Sequence, residues 1–144
     1  MKHRVYLTVL LLFFVFITAA QDQHYLITGS YTSGKSEGIY VYLFNSSDGS
    51  YKEVSHAQIS NPSFVAVSPD ERFVYAVQEN AANKGRGGEI AAFSFNKRTG
   101  TLTYINEQAS GGDHPCYVSV DRTGKWVAAG NYSSGSVAIL PVQA

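Results

Sequence analysis

Short runs in which apolar and polar residues alternate, separated by turn residues, cover the chain from residue 25 to residue 142. This alternation, rich in β-branched and aromatic residues, is typical of half-buried β-strands. The intervening segments are rich in Gly, Asp, Asn and Ser, which favour tight turns. The pattern predicts an all-β chain with strands at residues 25–28, 38–44, 51–59, 63–68, 72–79, 89–96, 101–108, 116–120, 125–131 and 136–142.

The chain repeats itself with a period near 50 residues. Pro62 and Pro115 begin two similar segments and lie 53 positions apart. The hexapeptide GSYTSG, which starts at Gly29, matches GNYSSG, which starts at Gly130, 101 positions later. A period of this length with four antiparallel strands in each repeat is typical of β-propeller blades. The predicted blades occupy residues 25–59, 61–108 and 114–142.

These segments amount to about two and a half four-stranded blades, because the first and the third are incomplete. Propellers close with roughly four to eight blades. We therefore expect residues 21–144 to be an incomplete propeller, the N-terminal part of a longer protein whose remaining blades are needed for closure. On its own, the 144-residue chain is expected to have little or no activity.

The first 20 residues have the layout of a secretory signal peptide. Lys2, His3 and Arg4 form a basic start, an apolar run follows, and cleavage is expected after Ala20. The apolar segment from residue 5 to residue 20 is shorter than the roughly 20 residues that a spanning helix needs. We expect export to the periplasm or the cell exterior, without a stable membrane span after cleavage; the alternative is an uncleaved membrane anchor.

Charge and composition exclude several classes of partner and cofactor. Lys and Arg total 11 and Asp and Glu total 11, so a net charge of zero gives no electrostatic basis for binding nucleic acid. The single cysteine, Cys116, cannot form an internal disulfide, and we interpret it as a small buried apolar residue on a strand. The four histidines are dispersed, so no metal site and no cofactor are predicted.

Three segments carry a family resemblance, in order NPSFVAVSPDERFVYAVQE, GEIAAFSFNKRTGTLTYINEQ and HPCYVSVDRTGKWVAAGNYSSGSVAI. Together they resemble the seven-bladed β-propeller lactonases, the 6-phosphogluconolactonase-like family, from about Tyr25 to Val142. The resemblance implies seven blades and metal-independent hydrolysis of a small-molecule sugar lactone to the aldonic acid. A related branch of the family contains muconate-lactonizing enzymes, so the fold alone does not define the reaction.

Lactone hydrolysis needs a base that activates water and donors that stabilise the oxyanion. Members of the family often carry a histidine two positions after the proline of the strand that begins the blade. That position is Tyr117 in this chain, and the neighbouring histidine, His114, precedes the proline. His114 and Tyr117 are the candidate catalytic residues. The alternatives are an ordinary exposed histidine and, because Tyr117 aligns with Phe64, a ring that packs beside the channel.

Polar residues at strand ends are the candidate substrate-binding residues. Glu79 ends one strand, and Asn131 and Tyr132 end the equivalent strand one blade later. Strand ends at a propeller face are where binding sites assemble, although Glu79 could cap the following loop and Asn131 could hold a turn. In that loop, Lys84 and Arg86 could contact a phosphate group or simply be solvated.

Three functional hypotheses follow. The first is an exported lactonase, and the second is a non-catalytic exported propeller that serves as a binding scaffold. Tyr117 in the place of the family's histidine favours the second hypothesis. The third is a cycloisomerase of the muconate-lactonizing type.

Overall fold

The computed structural model describes residues 22–81 and 87–143, which form ten β-strands and no helix. Each predicted strand is present, with its ends within two residues of the prediction, so the all-β prediction is confirmed. The strands are β1 (Gln23–Gly29), β2 (Gly38–Asn45), β3 (Tyr51–Gln58), β4 (Val65–Val67), β5 (Phe73–Gln78), β6 (Glu89–Asn96), β7 (Thr101–Ala109), β8 (Pro115–Val120), β9 (Trp126–Asn131) and β10 (Ser136–Pro141).

The strands form three antiparallel sheets that correspond to three propeller blades. Blade one has the order β1-β2-β3, blade two β4-β5-β6-β7, and blade three β8-β9-β10. Strands β1, β5 and β9 occupy the same place in the repeat and pair in the same way with the strand that follows each of them. Blade one therefore contains the second to fourth strands of the repeat, and blade three contains the first to third.

Blade two is packed on both faces, which explains the nearly continuous apolar sequence of β5. Alternate side chains of β5 point in opposite directions. Val74 and Ala76 pack against blade one, and Tyr75 and Val77 pack against blade three. The interface with blade one contains Ile39, Val74, Ala76, Ala91 and Phe93. The interface with blade three contains Tyr75, Val77, Ile90, Val118, Val127 and Ala129.

The fourth strand of the repeat is the exposed outer edge. β3 and β7 lie at the ends of their sheets, and most of their side chains are exposed. Lys52 and Glu53, for example, are both exposed on β3. Charged side chains on such an edge discourage pairing with another chain.

The turn between β8 and β9 is organised by one carboxylate. Asp121 Oδ1 accepts hydrogen bonds from the backbone N–H groups of Lys125 (2.8 Å) and Trp126 (2.9 Å). Its Oδ2 accepts from the hydroxyl and the N–H of Thr123. These bonds, foremost the one from the Thr123 hydroxyl, lower the pKa of Asp121 to about 2. One blade earlier Ser68 Oγ takes the same place and accepts from the N–H of Phe73 at 2.9 Å.

We expect Asp121→Asn to lower the melting temperature by a few degrees at neutral pH, because the amide is a weaker acceptor than the carboxylate. A carboxyl whose folded pKa is depressed stabilises the fold above its unfolded pKa, about 3.9. That contribution disappears as the pH falls towards 2. Urea unfolding of wild type and variant between pH 2 and 7, in steps of about one unit, tests this. A difference in stability that does not change with pH would contradict it.

Some sequence predictions lie outside the described residues. These are the signal peptide at residues 1–20 and the phosphate contacts of Lys84 and Arg86. Within residues 22–81 and 87–143, no helix is long and apolar enough to cross a membrane.

Candidate active site

The site candidates lie at one end of the blades, where β1, β5 and β9 end and β4 and β8 begin. We call this surface the strand-end rim; it consists of residues 29–32, 60–64, 79–80, 113–117 and 131–134.

The segments that lead into β4 and β8 have the same backbone conformation. Asn61 and His114 both precede a proline and both have positive φ, 46° and 51°. Asn61 O accepts from Glu79 N (3.0 Å), and His114 O accepts from Tyr132 N (2.9 Å).

A carboxylate and two hydroxyls join blades one and two at the rim. Tyr31 Oη donates to Glu79 Oε2 at 2.8 Å, and Ser63 Oγ donates to the same oxygen. Tyr31 follows β1, whereas Ser63 and Glu79 belong to blade two. The hydrogen bond to the Glu79 carboxylate, with partial desolvation, raises the pKa of Tyr31. Tyr31 therefore remains a hydrogen-bond donor at neutral pH and holds the carboxylate in place.

A second network continues from this cluster to blade three. Asn61 Oδ1 accepts from the N–H of Thr32 (2.9 Å) and from its hydroxyl (3.1 Å). Asn61 Nδ2 donates to Asn80 Oδ1 at 2.9 Å. The backbone carbonyl of Asn80 accepts from His114 N at 3.1 Å. The ends of all three blades are thus linked by direct hydrogen bonds.

His114 is half-buried and its ring is oriented by a hydroxyl. Nδ1 lies 2.8 Å from Ser133 Oγ. With Nδ1–H as the donor in this bond, Nε2 is the nitrogen that can accept a proton. The positive φ of His114 and its two backbone hydrogen bonds fix the position from which the ring projects. The imidazole therefore has the defined orientation that a general base requires.

Tyr117 combines packing with exposure. Its ring centroid lies 4.8 Å from that of Phe64 at an interplanar angle of 50°. The two residues occupy equivalent positions in adjacent blades, so the contact agrees with the sequence expectation that the Tyr117 ring is packed. It is nevertheless 52% exposed, so the ring is accessible as well as packed.

The interpretation of Cys116 as buried is wrong, since its side chain is exposed. The physical reason is that Cys116 lies on an edge strand, at the irregularity in the β8–β9 pairing between Pro115 and Tyr117.

Asn131 and Tyr132, adjacent in sequence, have different environments. Asn131 is 3% exposed, and its Nδ2 donates to Ser110 O (2.9 Å) and Ser136 Oγ (3.1 Å). Gly112 packs directly on this amide, because a Cβ there would lie 2.6 Å from Nδ2. Asn131 is therefore a buried residue that holds the loop before His114 in place. Tyr132, in contrast, is 81% exposed at the rim.

The structure brings all five candidate residues to the same end of the blades, and it adds residues that sequence reasoning missed. The missed residues are Tyr31, Asn61, Ser63 and Asn80. A signal for Tyr31 was present, because the match between GSYTSG and GNYSSG places it in the position of Tyr132. Among residues 22–81 and 87–143, no group of three or more His, Cys, Asp or Glu side chains could hold a metal ion.

Repeated antiparallel blades whose strand ends present a carboxylate, hydroxyls and an imidazole define a β-propeller with a polar site at one face. Comparison with known families gives a more specific assignment. The family described as "Lactonase, 7-bladed beta-propeller" matches residues 25–144. The chain belongs to this family.

Individual relatives are similar over most of this chain. It is 37% identical over 116 residues to the 6-phosphogluconolactonase of Bacillus subtilis, covering 80% of this chain and 32% of the relative. Identity to the 6-phosphogluconolactonase of Formosa agariphila is 34%, covering 81% of this chain and 33% of the relative. The solved structure of the periplasmic gluconolactonase of Pseudomonas aeruginosa has 38% identity and a TM-score of 0.76, covering 85% of this chain and 35% of its own. This chain thus spans about a third of the length of these relatives.

Proposed function

We propose that the protein containing this chain is a lactonase that hydrolyses a sugar lactone to the aldonic acid. The observation that carries the proposal is the family match over residues 25–144. The names of the relatives, 6-phosphogluconolactonase and gluconolactonase, support this class of substrate. Because this chain spans about a third of their length, other blades would contribute further residues to the site.

In the proposed reaction, water attacks the lactone carbonyl carbon, the ring C–O bond breaks, and the released oxygen takes a proton. His114 Nε2 would accept the proton of the attacking water, since Nδ1 is occupied by Ser133. The hydroxyl of Tyr117 would donate to the developing oxyanion. Glu79 and Tyr132 would bind substrate hydroxyls, and Asn131 would support the loop that leads to His114. The proposal includes no metal or cofactor.

We further propose that the protein is exported, with residues 1–20 removed as a signal peptide. The periplasmic location named for the Pseudomonas aeruginosa relative supports this proposal. After secretion, N-terminal sequencing of the mature protein should begin at Gln21. A mature protein that retains the apolar run would favour the membrane-anchor alternative.

The test uses the complete gene product that contains this chain. We expect it to accelerate acid release from D-glucono-1,5-lactone or its 6-phosphate above the spontaneous rate. His114→Ala should lower kcat by a factor of about 10²–10⁴, the usual contribution of a general base. His56→Ala is the matched control, because His56 is an exposed histidine on the outer strand of blade one.

Each alternative makes a different prediction in this assay. If neither lactone is hydrolysed, the lactonase proposal is wrong and the binding-scaffold hypothesis, favoured by Tyr117 in the place of the family's histidine, takes its place. Turnover of muconates without lactone hydrolysis would instead indicate a cycloisomerase. The 144-residue chain alone is expected to show little or no turnover, because it spans about a third of the relatives' length. An active isolated chain would show that its own blades suffice.

A further inference from the structure

We propose that Glu79 makes this site selective for a neutral sugar lactone over a phosphorylated one, with Tyr31 as the residue that positions its carboxylate. This inference rests on the proposed lactonase function. It concerns which of the two substrate types named for the relatives fits the described part of the site.

One relevant property of the rim is its charge. Among the described residues, the hydrogen-bond partners of the Glu79 carboxylate are two uncharged hydroxyls, those of Tyr31 and Ser63. Neither hydroxyl neutralises the carboxylate. Glu79 is half-buried, so its charge is less screened than that of a fully exposed side chain. A phosphate group placed beside it would be repelled, whereas a neutral hydroxyl would not.

The Glu79 carboxylate is held in one orientation by its hydrogen bonds. Both hydrogen bonds from described residues reach the same oxygen, Oε2. The backbone of Glu79 is fixed as well, because its N–H donates to Asn61 O at 3.0 Å. The carboxylate therefore has a defined direction, and its Oε1 can accept from a substrate hydroxyl. Charge-assisted hydrogen bonds of this kind are about twice as strong as neutral ones.

The rim also carries accessible aromatic surface. Phe64 follows Ser63 directly in the chain, and its ring packs on that of Tyr117. Both rings are accessible at the rim, 39% and 52% exposed. Small-molecule sites commonly combine aromatic walls with a few oriented polar groups. A sugar ring has both surfaces, apolar C–H faces and hydroxyl edges, so it is complementary to this arrangement.

A purely structural role is the competing explanation, because the Glu79 cluster also joins blade one to blade two. The two roles predict different measurements. A structural link would change stability and would affect both substrate types equally. A specificity residue would change the ratio of affinities for neutral and phosphorylated ligands, with little change in folding.

The experiment measures binding of D-glucono-1,5-lactam and of its 6-phosphate to the complete gene product by calorimetry. These lactams resist hydrolysis, so binding is measured without turnover. The wild type should bind the neutral lactam more tightly. Glu79→Gln, which keeps the shape and an oxygen for Tyr31, should weaken neutral binding about tenfold and reduce the preference for it. Tyr31→Phe should weaken neutral binding less than Glu79→Gln does, and it serves as a second test if Glu79→Gln unfolds.

The matched control is Glu37→Gln, an exposed carboxylate beside His56 on blade one, which should leave both affinities unchanged. The inference is overturned if the wild type prefers the phosphorylated lactam or binds neither. It is also overturned if folded Glu79→Gln and Tyr31→Phe variants keep the wild-type ratio of affinities. A protein that shows the expected discrimination but hydrolyses no lactone would contradict the proposed function alone. If the protein hydrolyses lactones but the variants keep the wild-type ratio of affinities for the two lactams, only the role of Glu79 is contradicted.

Discussion

Replacing Phe93 by alanine is expected to lower the free energy of unfolding by about 3–5 kcal/mol. The ring is 1% exposed and belongs to the core between blades one and two, together with Ile39 and Val74. It also makes an edge-to-face contact with Tyr104, with centroids 5.7 Å apart. Removal of the ring leaves a cavity between the sheets of blades one and two. The strands within each sheet are held by their hydrogen bonds, so neighbouring side chains can fill the cavity only in part. Urea unfolding of wild type and variant measures the difference.

The matched control is Phe64→Ala, which removes the same side chain from the rim, where the ring is partly exposed and packs on Tyr117. Its effect on stability should be clearly smaller, because less apolar surface is returned to water and no closed cavity forms. Equal losses for the two variants would mean that the interface between blades one and two contributes less to stability than its burial indicates.

The second large effect is expected for Gly29→Ala. A Cβ at this position would lie 1.9 Å from the carbonyl oxygen of Pro62, a backbone atom that cannot rotate away. Blade one must then move away from the start of blade two, which disturbs the neighbouring hydrogen bonds between Asn61 and Thr32. Overpacking of this kind usually costs about 1–3 kcal/mol, and the stiffness of the obstructing backbone places this variant at the upper end.

Gly34→Ala is the control for Gly29→Ala, because a Cβ at Gly34 meets no atom within 4 Å. Both substitutions add one methyl group to a glycine that precedes β2 in the chain. Only Gly29→Ala should lower the urea midpoint substantially. If the two variants unfold at the same urea concentration, the close approach of the two blades at Pro62 does not restrict this position.

Much of the fold could be predicted from local patterns. Runs rich in β-branched and aromatic residues, bounded by turns rich in Gly and Asp, define strands because residue propensity and turn chemistry are properties of short segments. The offset of 53 residues between Pro62 and Pro115 also predicted a structural equivalence that appears in the positive φ of Asn61 and His114. Repetition in sequence becomes repetition in backbone conformation, because the same local residues satisfy the same geometry.

The candidate site could be predicted only in part. Glu79 and Tyr132 can be predicted because they end equivalent strands, and the structure places both at the rim. The partner of Glu79 could not be predicted, since Tyr31 is 48 residues away and reaches it only after blades one and two have packed. The exposure of Cys116 was likewise missed, because burial of an edge-strand residue depends on the neighbours that its blade has.

The amino-acid sequence by itself determined the strands, the turns, the blade repeat and the family resemblance, since these depend on residues close together in the chain or on regular spacing. The tertiary structure decided which distant side chains meet. It joined Tyr31 to Glu79 across two blades, placed Asn131 beneath the loop that leads to His114, and left Tyr117 both packed and exposed. These contacts arise from the way that separate sheets stack, and the stacking geometry is set by all the interface residues together.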